Sequence, residues 1–166
     1  YYLAILTGEL RTIRYAGPPP PAGTYISNLP WISSANGYGP VERDMSNSEF
    51  AAGDGRAITL NGVGYPKGLG AHSPSEVRTN LGGSCTRFIS DVGVDDEVTQ
   101  YGSVTFQVWA DGVKLYDSGT LQGPSPTASV DVDLTGRSPL QLVVTDAGDG
   151  NNSDHASWGN ARVNCT

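Results

Sequence analysis

The chain reads as an all-β domain, a sandwich or a barrel, and three observations predict it. Its 166 residues include 22 Gly and 11 Pro, far more turn formers than a helical bundle tolerates. Apolar residues alternate with polar ones over short runs that end at turn signals. No segment sustains the 3.6-residue period of an amphipathic helix.

The strands follow in order. Residues 56–61 place Ile58 and Leu60 on one face and end in the Asn61-Gly62 turn. Residues 85–92 turn Phe88 and Val92 to one side and Ile89 to the other. Residues 103–109 direct Val104, Phe106 and Val108 inward. Asp111-Gly112 is a strong hairpin signal because both residues tolerate positive φ, and residues 113–116 form the return strand. Residues 129–134 alternate cleanly, with Val130, Val132 and Leu134 in and Asp131 and Asp133 out. Residues 140–145 are apolar on both faces, as a central strand should be. Residues 159–165 turn Ala161, Val163 and Cys165 to one side.

Pro18 to Pro21 form a polyproline spacer that neither a strand nor a helix accommodates. They divide the chain into residues 1–17, a linker at 18–23 and a module at 24–166. Residues 1–17 read as the tail of a preceding domain, a linker or a cloning remnant, and an added edge strand is a further option. The chain lacks an initiator Met, and Tyr1 to Leu6 lack the basic start and cleavage pattern of a leader. A processed or excised fragment is expected.

Charge narrows the partners. Ten basic against 17 acidic residues give a formal charge of −7, which repels phosphate backbones and anionic membrane surfaces. No run of about 18 apolar residues marks a membrane span. A neutral polymer or a bound cation suits the acidic surface. Cys85 and Cys165 are too far apart for a CxxC metal or redox motif. They form either one disulfide or two buried thiols, and the extracellular look of the chain favours the disulfide.

Three loops concentrate polar and aromatic residues. The segment Gly68 to Glu76 surrounds His72 with glycines that permit sharp turns and close approach; His72 either donates to a ligand hydroxyl or is satisfied inside. Asp95, Asp96 and Glu97 repel one another unless a cation, a positive side chain or hydroxyl donors compensate them; a solvated acidic loop is the plainer reading. The segment Asp146 to Trp158 is rich in hard oxygen donors, as Ca²⁺ prefers, yet Gly148 and Ser157 stand where an EF-hand needs ligands. His155 and Trp158 beside those carboxylates suggest a sugar platform, against which Trp158 also fits a core position. A fourth segment carries Trp31, Tyr38, Arg43 and Asp44, and a Trp near a strand is more often core than surface. The acids would suit a glycosidase only as a pair about 5 Å or about 6.5–9.5 Å apart, and no Ser/His/Asp, HExxH or phosphate-loop motif is present.

Together these segments resemble one family, the NPCBM group of carbohydrate-binding modules, family fifty-one. The resemblance rests on Leu29-Pro30-Trp31, Gly37-Tyr38-Gly39-Pro40-Val41-Glu42-Arg43-Asp44, Tyr65-Pro66-Lys67-Gly68-Leu69-Gly70-Ala71-His72 and Gly93-Val94-Asp95-Asp96-Glu97. It continues through Gly102 to Val108, Asp111-Gly112, Leu115 to Gly119 and the Asp146 to Trp158 loop, in the family's order, over residues 24–166. It implies an antiparallel β-sandwich of the jelly-roll kind that is secreted, monomeric and non-catalytic. Such modules recognise galactose or galactose-containing glycans and target an attached glycoside hydrolase, such as an α-galactosidase. The binding residues it implies are Tyr38, His72, Asp95, Asp96, Glu97, Asp154, His155 and Trp158. A structural Ca²⁺ is expected at Asp44 and Asp54 or at Asp146 and Asp149. Ser157 and Asn160 depart from the Asp expected of the family, which bears on ligand preference. A structural or protein-docking sandwich without sugar binding is the alternative.

Overall fold

The computed structural model of the chain describes residues 2–6, 9–14, 23–47 and 50–166. The expected linker lies outside these residues up to residue 22, as does part of the 1–17 segment. Within that segment β1 (Tyr2–Leu6) and β2 (Glu9–Arg14) pair with each other in a two-stranded antiparallel sheet.

The module itself is built from β3 (Thr24–Tyr25), β4 (Ser33–Ala35), β5 (Glu42–Arg43), β6 (Ile58–Leu60), β7 (Val63–Tyr65), β8 (Gly68–His72), β9 (Ser75–Asn80), β10 (Cys85–Val94), β11 (Ser103–Ala110), β12 (Val113–Gln122), β13 (Ala128–Asp133), β14 (Pro139–Thr145) and β15 (His155–Cys165). One sheet runs β13-β10-β15-β8-β5, with β3 also paired to β15; the other runs β12-β11-β14-β9-β4. Both are antiparallel. From β8 to β15 the chain changes sheet at every link except the β11–β12 hairpin. This is the winding expected of a jelly-roll sandwich.

Alternation explains the core. Phe88 and Val92 of β10, Val130 and Val132 of β13, and Leu69 of β8 meet Val104, Phe106 and Val108 of β11 and Leu140, Leu142 and Val144 of β14. The expected inward sets of these strands are buried as read from sequence. Asp111 and Gly112 take φ of 50° and 75°, and Asn61 and Gly62 take 49° and 82°, so both hairpins use the turn that positive φ allows. The β6–β7 hairpin has a small core of its own, formed by Ile58, Leu60 and Tyr65. Cys85 and Cys165 are register partners across β10 and β15 and are joined as a disulfide.

Two expectations need correction. The Gly68 to Glu76 segment is not a loop: it is the fully buried β8 and the first residues of β9. Its glycines serve close packing more than turning. A Cβ at Gly70 would lie 2.3 Å from the carbonyl oxygen of Met45 and 2.5 Å from the nitrogen of Asn47, so the 45–47 backbone lies directly on the strand.

The second correction concerns Trp158. The 155–158 segment belongs to β15, and Trp158 is 2% exposed. Its ring stands edge-on to Phe106 at 5.0 Å and to Phe88 at 6.0 Å. Ala156 and Trp158 point inward, and so do Ala161, Val163 and Cys165. The parity changes at Asn160, whose φ is 51°, where the pairing with β10 shifts register. A bulge thus reconciles two runs that simple alternation would set on opposite faces. Trp158 is a core plug and offers no face to a ligand. Trp31 is half-buried against the same core, with its Nε1 donating to the Ile26 carbonyl and the Arg43 guanidinium 3.5 Å over its ring.

Trp158→Ala is expected to cost about 3–5 kcal/mol, the usual price of deleting a buried aromatic, measured by denaturant unfolding. Replacing Cys85 and Cys165 together by Ala is expected to cost about 2–5 kcal/mol in the same measurement, with ligand binding retained at temperatures where the variant is folded.

Candidate functional site

The site grows from one register pair. His72 at the end of β8 faces His155 at the start of β15. Directly opposed residues of an antiparallel pair share a face, and the two imidazole rings meet edge-on with centroids 5.2 Å apart. His72 Nδ1 lies 2.9 Å from the Ser73 carbonyl oxygen. A carbonyl only accepts, so Nδ1 carries the proton and Nε2 is left for another partner. His155 Nδ1 lies 2.6 Å from Glu97 Oε1. It donates to that carboxylate, and its Nε2 is likewise left for another partner.

Glu97 is placed by its neighbours. The strand β10 ends at Val94, and a 3₁₀ turn, Asp96–Val98, follows. Asp95 caps that turn: its Oδ1 accepts from the Glu97 N–H at 3.2 Å. Its Oδ2 accepts from Ser157 Oγ at 2.7 Å and the Thr59 N–H at 3.2 Å. Burial raises the Asp95 pKa, opposed by the hydrogen bonds from Ser157, Glu97 and Thr59. Glu97 Oε2 accepts from Ser46 Oγ at 2.8 Å, which ties the turn to the loop after β5.

The aromatic wall comes from the loops on either side of β5. Tyr38 is 39% exposed and Phe50 78% exposed. The Tyr38 ring is 5.6 Å from Phe50 and 5.9 Å from His72. Asn36 holds this wall in place. Its Oδ1 accepts the His72 N–H at 2.7 Å, and its Nδ2 donates to the Tyr38 carbonyl and to Asn47 Oδ1, both at 2.8 Å. A Cβ at Gly37 would lie 1.9 Å from the Ser73 carbonyl oxygen, so only glycine lets the Tyr38 loop sit this close to β8.

Of the eight residues expected to bind, four therefore converge: Tyr38, His72, Glu97 and His155. The other four do something else. Trp158 is in the core. Asp95 is spent on the cap just described. Asp96 accepts from the Asn61 and Gly62 N–H groups at 2.9 and 2.8 Å and clamps the β6–β7 turn. Asp154 is fully buried, and its carboxylate accepts from Ser73 Oγ and from the Ser103 N–H. Burial raises its pKa, opposed by the hydrogen bonds from Ser73 and Ser103. Four contributors escaped the sequence reading: Phe50, Asn36, Ser46 and Asn47. Phe50 alone left a signal, a single aromatic among polar turn residues. The others matter only through partners distant in sequence.

Residues 22–164 match the NPCBM/NEW2 domain family. The chain belongs to that family, the carbohydrate-binding modules of family fifty-one. The solved NPCBM relatives share its sandwich. A module from the family 95 glycoside hydrolase of Clostridium perfringens, described in complex with methyl-galactose, is 39% identical with a TM-score of 0.77 over 84% of this chain and 98% of the other. A second module of C. perfringens ZmpB, described with GlcNAc, is 31% identical with a TM-score of 0.76 over 86% of this chain and 31% of the other. A protein of Renibacterium salmoninarum named for endo-alpha-N-acetylgalactosaminidase is 40% identical over 157 residues, 93% of this chain. The chain spans about a tenth of that relative's length.

The residues expected to hold calcium in this NPCBM domain have other partners. Asp44 Oδ2 is 2.6 Å from Lys67 Nζ, and its Oδ1 accepts the Gly68 N–H at 3.1 Å. Asp54 accepts from the Phe50 and Ala51 N–H groups. Asp146 accepts from the Gly148 N–H and Asp149 from Ser103 Oγ. Among the described residues no three His, Cys, Asp or Glu side chains converge to hold a metal. Lys67 neutralises Asp44, while Asp146 and Asp149 each accept a single donor through one oxygen.

Burial pushes the Asp44 pKa up, but the hydrogen bonds from Lys67, Ser27 and the Gly68 N–H outweigh it and hold the carboxyl below its ordinary value. Its stabilising contribution is therefore present above the unfolded pKa of about 3.9 and is lost as pH falls through the folded value. Asp44→Asn is expected to lower Tm by a few degrees at pH 7, with the difference from the native chain vanishing in acid. Thermal melts across pH 2–7 check it.

Proposed function

We propose that this module binds galactose or galactose-containing glycans between the Tyr38–Phe50 wall and the His72–His155 pair, and so carries an attached glycoside hydrolase to its substrate. One observation carries the reading: two edge-on imidazoles, their Nδ1 atoms engaged by the Ser73 carbonyl and Glu97, stand beside a pair of exposed aromatic rings.

A pyranose has a C–H face and a hydroxyl rim. The Tyr38 and Phe50 rings, inclined at 54°, offer apolar surface to the first. The two Nε2 atoms and the Tyr38 hydroxyl accept from or donate to the second. Glu97 keeps His155 oriented, and Asn36 keeps the Tyr38 loop on β8, so little conformational entropy is lost on binding. The relative described with methyl-galactose, nearly the whole of which this chain covers, supports galactose as the sugar. The Renibacterium relative, named for endo-alpha-N-acetylgalactosaminidase, supports a glycoside hydrolase as the partner, and an α-galactosidase is one enzyme such a module would serve. The disulfide supports an extracellular location, since such bonds persist in oxidising compartments. A site for one sugar buries little area, so the expected Kd is roughly 10 μM to mM, and tethering to the enzyme raises the effective concentration at the substrate.

Calorimetric titration with methyl galactoside is expected to give a Kd in that range. Tyr38→Ala is expected to weaken it about tenfold with Tm unchanged, because the ring is exposed. No heat at millimolar sugar with folded protein would refute the proposal.

A further inference from the structure

A second groove opens where the β10–β11 connection, the end of β12 and the β14–β15 loop meet. It encloses about 330 Å³ and is lined by Gln100, Tyr101, Ser103, Gln122, Asp149 and Asn152 among others. None of these residues belongs to the His72–His155 site. We infer that this groove is a second subsite for a neutral saccharide unit, and that it does not depend on the first site.

Its chemistry is that of hydroxyl recognition. Tyr101 is 61% exposed, an aromatic face beside a polar floor. The side-chain amides of Gln100, Gln122 and Asn152 hydrogen-bond to no other described residue. Each amide carries two N–H donors and a carbonyl acceptor, so the groove presents both halves of the pairing that a ring of hydroxyls needs. Asp149 is its sole lining group with a charge, and Ser103 Oγ already donates to that carboxylate. No cation lines the groove to hold an anionic ligand, and no aliphatic pocket lines it to hold an apolar one.

The walls are fixed before any ligand arrives. A Cβ at Gly102 would lie 2.4 Å from the Ser153 carbonyl oxygen, and one at Gly123 2.5 Å from the Thr99 carbonyl oxygen. The three segments are therefore in direct backbone contact, which only glycine allows. The Tyr101 N–H donates to the Val98 carbonyl at 3.1 Å and the Gly123 N–H to the Gly102 carbonyl at 3.3 Å. Buried Asp154 braces the floor through the Ser103 N–H at 3.0 Å. The backbone of such a groove needs no reordering when it takes up a ligand, and only the Gln and Asn side chains lose rotamer freedom.

The test is an amide-resolved NMR titration of the whole chain with a galactose-terminated tetrasaccharide, on the native protein, Tyr101→Ala and Tyr38→Ala. Tyr101 is exposed, so its loss leaves the fold intact, which the spectrum itself reports. The expected result is that the tetrasaccharide shifts the amides of residues 100–103, 122 and 149–152. Tyr101→Ala then weakens that response at least fivefold, and Tyr38→Ala leaves it unchanged. Saturating sugar that moves none of these amides overturns the inference, as does an equal response in Tyr101→Ala. Shifts confined to residues 36–38, 72 and 155 overturn the groove and leave the first site standing. Shifts confined to the groove do the reverse.

Discussion

Carboxylates that accept backbone N–H groups hold the functional end of this sandwich together. Asp95 ties the Thr59 and Glu97 backbones to Ser157, Asp96 clamps the Asn61–Gly62 turn, and Asp154 joins Ser73 to Ser103. Both oxygens of Glu42, buried in β5, accept the Gly53 N–H. A buried ionised carboxylate without donors would be costly, and the same group with two or three becomes a strong bracket for chain that lies outside the ladders. Glu42, Asp95 and Asp154 are used in this way inside the molecule. The loops are organised by their own donors.

Glycine supplies the second half of that economy. At Gly37, Gly70, Gly102 and Gly123 a side chain would collide with backbone from another segment. Four loops can consequently press onto the strand ends with no intervening side chains. Their conformations are over-determined, and the Tyr38 wall and the Tyr101 groove both stand on such contacts. Rigidity of this kind suits a site that gains little from area and must avoid ordering costs.

The division of labour along single segments is sharp. In the Asp95-Asp96-Glu97 run, three adjacent carboxylates have three different tasks: a cap, a turn clamp and the orientation of His155. In the His155 to Trp158 run, His155 faces the site, Ser157 donates to Asp95 and Trp158 fills the core. The 3₁₀ turn fans out the first three side chains and strand alternation separates the second set, so adjacent residues in sequence face different surroundings in the fold.

The strand pattern was legible from the chain alone. Val104, Phe106 and Val108, or Val130, Val132 and Leu134, alternate because one face of each strand must leave water, and Asp111-Gly112 must turn because both residues accept positive φ. The order of motifs also announced the family and pointed to Tyr38, His72, Glu97 and His155. What local pattern cannot carry is direction. Whether Trp158 faces solvent or Phe106 depends on a bulge at Asn160. Whether Asp154 meets a ligand or Ser73 depends on segments 81 residues apart. Asn36, Ser46 and Phe50 acquire meaning only when the chain around β5 is laid against β8 and the Glu97 turn. Those contacts are long-range, and burial and hydrogen-bond satisfaction are properties of the packed whole, so tertiary structure alone decided which polar residues brace the fold and which remain free to bind.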